Sequence, residues 1–456
     1  MKKYDVVIVG GGPGGLAAAK GASDNGAKSI LLLEREKTTG GVLNQCIHDG
    51  FGLHRYKTQL SGPEYAYRAL KEAEKDNVEI RTGAIVTNIT QDKVVTVVST
   101  EGLERIQAGA VVLATGCRER TRGAIRTPGS RPAGVYTAGV AQNLVNIQNV
   151  MVGKRIVILG SGDIGLIMAR RLTLEGAEVV AVVEVMPQPC GLMRNVSQCL
   201  YDFNIPLYLS HTVSRINGVN RVESLEISQV DEKLNPIKGT EQTIEADTLI
   251  LSVGLIPENE IAKTAGVALY PNNGTVTDDY LETTVPGIFS AGNSRKVMDL
   301  ADYVSEQGEV AGWNAAASAL GKEKRKWEQK TQGETKKGLP PEGSIICPLC
   351  PNGCNIFVSE DGTLIGNRCR RGKEYAEKER TSPERVLTTT VRLRGGKDEL
   401  LPVRSTSPLK KDEIKTVTKL LSTLSVNAPV KDGEVVLSDI GVNKVSFVAE
   451  RGAEKA

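Results

Sequence analysis

Four cysteines, Cys347, Cys350, Cys354 and Cys369, crowd into 23 positions with the spacing Cys-x2-Cys-x3-Cys-x14-Cys. Thiolates at such short intervals are soft donors for zinc or for an iron–sulfur cluster. Two glycine-rich turns point to different chemistry: Gly10, Gly12 and Gly15 form one G-x-G-x-x-G, and Gly160, Gly162 and Gly165 form another. In such a turn the first glycine permits the tight bend, the second lets backbone approach a pyrophosphate, and the third lets helix and strand pack closely. Each first glycine is followed 24 residues later by a glutamate, Glu34 and Glu184, whose carboxylate can accept hydrogen bonds from a ribose diol. A thiol and an imidazole two residues apart, Cys46 and His48, could supply a nucleophile and a proton.

The elements that must hold these residues repeat. Residues 4–34 and 154–184 each read as an apolar run, a glycine turn, an Ala/Leu-rich helix and a second apolar run ending in Glu. That is the pattern of a βαβ unit in a parallel sheet covered on both faces. The free N–H groups at each helix start favour phosphate. At Glu184 a carboxylate would repel a 2′-phosphate, and Val185, Met186 and Pro187 bring no cation, so NAD is preferred over NADP. Further apolar runs end at glycine, VVLATG at 111–116 and LILSVG at 249–254, and TTVPGIFSAGN at 283–293 adds a short strand. Residues 300–320 predict an Ala-rich helix, and 321–343, charged and ending in Pro-Pro, predict a linker. Beyond it, KKDEIKTVTKLLSTL predicts a helix and GEVVLSDI short strands.

Composition narrows the classes of function. Of 456 residues, 57 are Lys or Arg and 54 Asp or Glu, a net +3, which offers no charge excess for nucleic acid or an anionic membrane. Hydrophobic content of 40% with 24% charged residues is globular. There is no apolar run of about 18 residues, and MKKYDVVIVGGG leads straight into a strand, so a soluble cytoplasmic protein with no membrane span is expected. In such a compartment eight cysteines predict metal or redox chemistry in place of a disulfide framework.

With these motifs assembled, residues 1–322 resemble the flavoproteins with two dinucleotide-binding domains related to glutathione and thioredoxin reductases. The resemblance implies FAD on the first unit and NAD(H) on the inserted second one. It assigns Gly10, Gly12, Gly15, Glu34 and Gly41 to FAD, with Ala114, Thr115 and Gly116 as the family's Ala-Thr-Gly motif. Gly160, Gly162, Gly165, Glu184 and Gly254 belong to the nicotinamide coenzyme, and Gly287, Phe289, Ala291 and Gly292 match the second FAD motif. The family usually has Asp next; this chain has Asn293, which can still hydrogen-bond a flavin hydroxyl. The family's redox cysteine pair is missing. Gly40-Gly41 is followed by VLNQCIH with a single cysteine, and residues 118–248 hold only Cys190 and Cys199, which disfavours a disulfide reductase. Cys46 and His48 should then lie near the flavin, either as catalytic thiolate and proton donor or, the preferred reading, as a small buried side chain beside a packed histidine.

The stretch GGVLNQCIHDGFGLHRYKTQLSGPEYA and the cysteine module resemble something narrower. They are similar to the flavoprotein accompanying FAD-dependent glycerol-3-phosphate dehydrogenase in anaerobic bacteria and archaea, here fused to its small cysteine-rich partner protein. The three-plus-one cysteine pattern, with CPNGCNIFV and C-x-R-G, also resembles the [4Fe–4S] domain that opens molybdopterin oxidoreductases, so a [4Fe–4S] cluster is preferred and zinc is the alternative.

The expected fold is α/β: two Rossmann-like dinucleotide-binding domains, the NAD domain inserted in the FAD domain, and a small C-terminal four-cysteine metal or iron–sulfur α+β module. The boundaries are a first FAD segment at 1–117, the NAD domain at 118–250, a second FAD segment at 251–322, a linker at 323–343 and the cysteine module at 344–456. The expected function is electron passage between nicotinamide, flavin and cluster, to or from a partner FAD-dependent dehydrogenase resembling glycerol-3-phosphate dehydrogenase, in an oligomer or heterocomplex. The alternatives are a stand-alone NADH oxidase or reductase with a structural zinc tail, a zinc docking module, and a component of an amino-acid or opine dehydrogenase.

Overall fold

The computed structural model describes residues 1–328, 337–350 and 352–456. Two compact units are formed, one by Met1–Arg118 with Leu255–Lys330 and one by Glu119–Gly254 with Thr331–Ala456.

In the first unit the run DVVIV ends strand Lys2–Val9, which pairs in parallel with Ile30–Leu33 on one side and Gly102–Leu113 on the other. Val78–Arg81 and Ile288–Ser290 extend the parallel sheet at its two ends. The first half of Gly102–Leu113 also carries an antiparallel hairpin, Ile85–Ile89 and Val94–Ser99. All four residues of Ile30–Leu33 are buried, as a strand covered on both faces requires.

Helices Pro13–Asp24 and Ala301–Leu320 cover one face along a seam of small residues. A Cβ on Gly308 would lie 2.1 Å from the Gly14 carbonyl oxygen, and one on Gly312 would lie 1.9 Å from that of Ala18. The backbones therefore touch, and no larger residue fits. A third helix, Gly62–Ala73, starts with a capping box in which Ser61 and Glu64 satisfy each other's backbone N–H groups.

The second unit repeats the theme with a five-stranded parallel sheet. In order it runs Val135–Thr137, Thr248–Leu251, Arg155–Leu159, Glu178–Glu184 and Leu207–Leu209. A three-stranded antiparallel meander, His211–Asn217, Ser224–Gln229 and Gln242–Glu245, forms a separate sheet in this unit.

The C-terminal portion of this unit is a five-stranded sheet built from Ser425–Asn427, Thr388–Arg394, Leu400–Ser405, Val445–Ala449 and Val435–Ile440. Helix Ile414–Thr423 lies on it, burying Ile414, Val417 and Leu421. The predicted tail helix and strands thus form, and they close a core of their own.

That core is joined to the nicotinamide-type segment of the same unit. Arg171, only 6% exposed, donates to Asn146, Thr389 and Thr390 and pairs with Glu175 at 2.8 Å. Arg385 bridges Asp202 and Glu379, and Lys411 adds a second cation to Asp202.

The stretch expected as a linker is docked at both of its described ends. In the first unit Asn314 brackets the backbone of Arg325, and the Trp327 N–H donates to the Asp279 carbonyl. At the other end, in the second unit, Lys337 bridges to Leu192. The middle, residues 329–336, lies outside the described residues. Among the described residues no helix is long and apolar enough to cross a membrane.

Candidate functional site

The first glycine turn is folded as a phosphate cradle. Gly10 has φ +103°, and a Cβ on Gly15 would sit 1.8 Å from the Gly10 carbonyl oxygen, so both positions demand glycine. At Gly12 a Cβ would meet nothing within 4 Å, the open side on which a pyrophosphate can approach backbone. Gly12 is also the N-cap of helix Pro13–Asp24, with no side chain capping it and no acid in the first turn. Those N–H groups remain for an anion.

Glu34, 6% exposed, accepts from the Gly11 N–H at 2.7 Å and the Glu36 N–H at 2.8 Å, one bond to each carboxylate oxygen. A carboxylate has about four acceptor sites. The fixed Glu34 thus keeps acceptors for a diol.

The other FAD-type residues gather at the same sheet edge. Gly40 donates to the Gly11 carbonyl, and Gly41, at φ +56°, lies over Gly12. Ala114 donates to the Val9 carbonyl, Thr115 donates to the Glu258 carbonyl at 2.6 Å, and Gly116 at φ +74° leaves open space. Gly292, at φ +70°, gives its N–H to the side-chain carbonyl oxygen of Gln307, a residue whose buried Nε2 has no partner among the described residues. Asn293 is held at both ends, accepting from the Met298 N–H at 3.0 Å and donating to the Cys117 sulfur at 3.4 Å. The amide is thus fixed by the chain itself, with no charge.

Cys46 closes the short turn Gly41–Gln45, its N–H donating to Leu43 and its carbonyl accepting from Gly62. His48 places Nδ1 3.0 Å from the Asp49 carbonyl, which makes Nδ1 the protonated nitrogen, and its ring lies 5.0 Å from that of Phe51. Both side chains are half-buried. We expect Cys46→Ser to leave NADH-to-dye electron transfer largely intact; its loss with FAD still bound would make Cys46 catalytic.

The second turn has the same backbone form, but its helix carries an acid, Asp163, in the first turn. Gly160 has φ +101°, a Cβ on Gly165 would lie 2.5 Å from the Gly160 carbonyl oxygen, and Gly162 is open. Gly254, at φ +106°, accepts from the Arg120 N–H.

Glu184 differs from Glu34 in being more fully used. It accepts from the Ser161 N–H at 2.8 Å, the Ser161 hydroxyl at 2.6 Å and the Met186 N–H at 2.9 Å. The Cys190 thiol contacts it too; burial pushes that thiol up, the Glu184 charge adds to the rise, and Lys337 opposes it. A ribose diol accepted here would have to take the place of the thiol contact. Sequence spacing shows no cation near Glu184. Lys337, 153 residues further along the chain, can be found only through the tertiary structure, as can Cys117 beside Asn293 and Asp163, which holds Leu192 and Asn195.

In the tail Cys347 and Cys354 are buried, Cys350 is half-buried and Cys369 exposed. The Cys347 N–H donates to the Cys354 carbonyl, and Cys369 is the N-cap of helix Arg370–Thr381. A Cβ on Gly372 would fall within 4 Å of both the Cys347 and Cys369 sulfurs, so glycine leaves room where two thiols converge. Burial pushes the Cys347 thiol up, and the charges of Cys354, Cys350 and Cys369 add to the rise. The donor set fits a thiolate-bound metal. Among the described residues, however, no three His, Cys, Asp or Glu side chains are arranged to hold a metal ion.

The profile of the pyridine nucleotide-disulphide oxidoreductases matches residues 4–308. The chain belongs to that family. A second profile, a protein of unknown function (DUF1667), matches residues 370–451. An opine oxidase component of Agrobacterium tumefaciens (strain Ach5) is 27% identical over 70% of the chain, which spans 65% of that relative's length. Dihydrolipoyl dehydrogenase of Acholeplasma laidlawii is 28% identical over 68% of the chain and 95% of its own. Among solved structures, thioredoxin reductase of T. acidophilum superposes with a TM-score of 0.57 at 25% identity, over 70% of this chain and 99% of that one. The two-domain Rossmann-like fold is thereby shown, and FAD and NAD(P) binding is the family's expectation.

Proposed function

We propose that the chain is an FAD-dependent NAD(H) oxidoreductase whose tail relays electrons to or from a partner dehydrogenase. The observation that carries this reading is a pair of glycine-turn cradles, each with a buried glutamate bonded to its turn, in one chain with four closely spaced cysteines. Gly10, Gly12, Gly15, Glu34, Gly116 and Asn293 hold FAD. Gly160, Gly162, Gly165 and Glu184 hold NAD(H), the carboxylate favouring the coenzyme without a 2′-phosphate. When bound, these groups supply hydride exchange between nicotinamide C4 and flavin N5, and a flavin can release the pair as single electrons. The chain's own role is to orient both ends: helix N-termini take the phosphates, the two glutamates take the ribose hydroxyls, and Asn293 offers an uncharged donor.

No cysteine pair acts as a redox disulfide in this reading. Cys347, Cys350, Cys354 and Cys369 hold a [4Fe–4S] cluster in preference to zinc, and the basic side chains of Arg370, Arg371 and Lys373 offset its charge. The partner is a glycerol-3-phosphate dehydrogenase-like protein by analogy. A second reading, a component serving an opine or amino-acid dehydrogenase, is favoured by the match to the opine oxidase component; electron delivery from glycerol 3-phosphate or from an opine through the co-expressed dehydrogenase separates the two.

The test is anaerobic purification with assay of flavin, iron, acid-labile sulfide and zinc, then NADH reduction followed by EPR. Heat should release FAD, iron and sulfide should be stoichiometric, and NADH should raise a cluster signal that Cys354→Ser removes or alters. Stoichiometric zinc without iron or sulfide would end the relay reading, and absence of flavin after reconstitution would end the whole proposal.

A further inference from the structure

The loop after Glu184 folds back over the second glycine turn. Cys190 donates its N–H to the Ser161 hydroxyl at 3.1 Å, Gly191 to the Ser161 carbonyl at 2.9 Å, and Leu192 to the Asp163 carboxylate at 2.8 Å. Onto this loop comes a segment from far along the chain. Lys337 forms an antiparallel bridge with Leu192, and the Gly338 N–H points to the Gly191 carbonyl at 3.4 Å. Gly338 has φ +111°, and a Cβ there would lie 3.4 Å from the Gln188 side-chain oxygen. The chain thus crosses the rim of the turn in a conformation that favours glycine.

We propose that Lys337 is a coenzyme-specificity residue: carried to the rim of the second dinucleotide cradle by this strand pairing, it supplies the cation for the adenosine-ribose end of the bound nicotinamide coenzyme. The proposal rests on the reading of Gly160, Gly162, Gly165 and Glu184 as that coenzyme's site.

The strand pairing sets Lys337 against the loop whose Cys190 N–H is held by Ser161, itself bonded to Glu184. The Cys190 thiol, raised by burial and by Glu184, is lowered by Lys337, so anion and cation both act on this rim. A ribose 2′-hydroxyl there bonds to Glu184 and gains little from the ammonium. A 2′-phosphate is repelled by Glu184 and attracted by Lys337. The two residues act in opposition, NADH being preferred because Glu184 is buried and fixed while Lys337 stands on a surface segment. The usual source of such a cation, the residues just after the ribose acid, holds Val185, Met186 and Pro187. In this chain the cation comes instead from the segment that leads into the tail, so docking of that segment and coenzyme choice are linked.

The experiment uses the full-length, FAD-loaded protein with NADH or NADPH as reductant, following flavin bleaching and kcat/KM. Lys337→Ala should lower kcat/KM for NADPH about tenfold, the loss of one charge-assisted contact, and that for NADH about two- to threefold, with FAD content unchanged; Lys337→Arg should restore most of the difference. Glu184→Ala should raise kcat/KM for NADPH, and Glu184→Ala/Lys337→Ala should fail to do so. Normal reduction by NADH with an NADPH-to-NADH ratio unmoved by Lys337→Ala, or an NADPH gain in the double variant equal to that in Glu184→Ala, overturns the role of Lys337 alone. A wild-type flavin that neither coenzyme reduces overturns the parent reading together with this one.

Discussion

Replacing Gly165 with Val should yield a protein that keeps its FAD and loses reduction by NADH by at least about 100-fold, the cost of an ångström-scale misplacement at a reacting site. The Gly165 Cβ would lie 2.5 Å from the Gly160 carbonyl oxygen and 3.0 Å from Ser252 Cβ, so helix Asp163–Leu174 must move away from its strand. That helix start carries the phosphate-facing N–H groups and, through Asp163, the loop at Leu192. The FAD-type residues lie in the other compact unit and feel no such clash. Dithionite should still bleach the flavin of the variant. Wild-type rates with NADH would remove coenzyme binding from the second cradle.

Arg385→Ala should destabilise the second unit by about 3–5 kcal/mol, the usual cost of removing one partner from a buried ion pair. Its guanidinium, 13% exposed, holds Asp202 at 2.9 Å and Glu379 at 2.6 Å, carboxylates that are 9% and 19% exposed. Burial by itself would lower the Arg385 pKa and raise that of Glu379, yet their contact drives each the other way, Arg385 up and Glu379 down. Lys411 still faces Asp202 in the variant, which puts the effect toward the lower end, whereas Glu379 loses its cation. The measurements are urea unfolding followed by tail-specific proteolysis, with flavin content as the control. An unfolding curve superimposable on wild type, with no new cleavage between 344 and 456, would show that this network does not join the tail to the nicotinamide-type segment.

A charged, proline-ended stretch such as 321–343 suggests a free tether, and cutting it suggests two independent pieces. The buried Arg171 makes that cut costly, because removing the tail would leave its guanidinium without Thr389 and Thr390.

Much of the molecule was legible in the sequence because its signals are local. A position where an added Cβ would lie 1.8–2.5 Å from a carbonyl oxygen admits only glycine, so Gly15 marks its turn, and Gly160 and Gly165 mark theirs. Strands covered on both faces read as unbroken apolar runs, and Ile30–Leu33 and Thr248–Leu251 are buried throughout. The fixed distance from glycine to glutamate, set by the lengths of one strand, one helix and one strand, likewise returns Glu34 and Glu184 to their glycine turns. The helix Ala301–Leu320 was legible in its Ala-rich composition, and the tail helix and strands in the runs KKDEIKTVTKLLSTL and GEVVLSDI.

What only the tertiary structure decided are pairings between residues far apart in the chain. No local pattern places Lys337 beside Leu192, Cys117 beside Asn293, or Arg171 against Thr389. The same holds for the use of Glu184, which Ser161, Met186 and Cys190 engage more fully than Gly11 and Glu36 engage Glu34. The sequence names the acid in both cradles, but how many of its lone pairs a ligand can reach depends on which loop folds over it, and that is settled by packing.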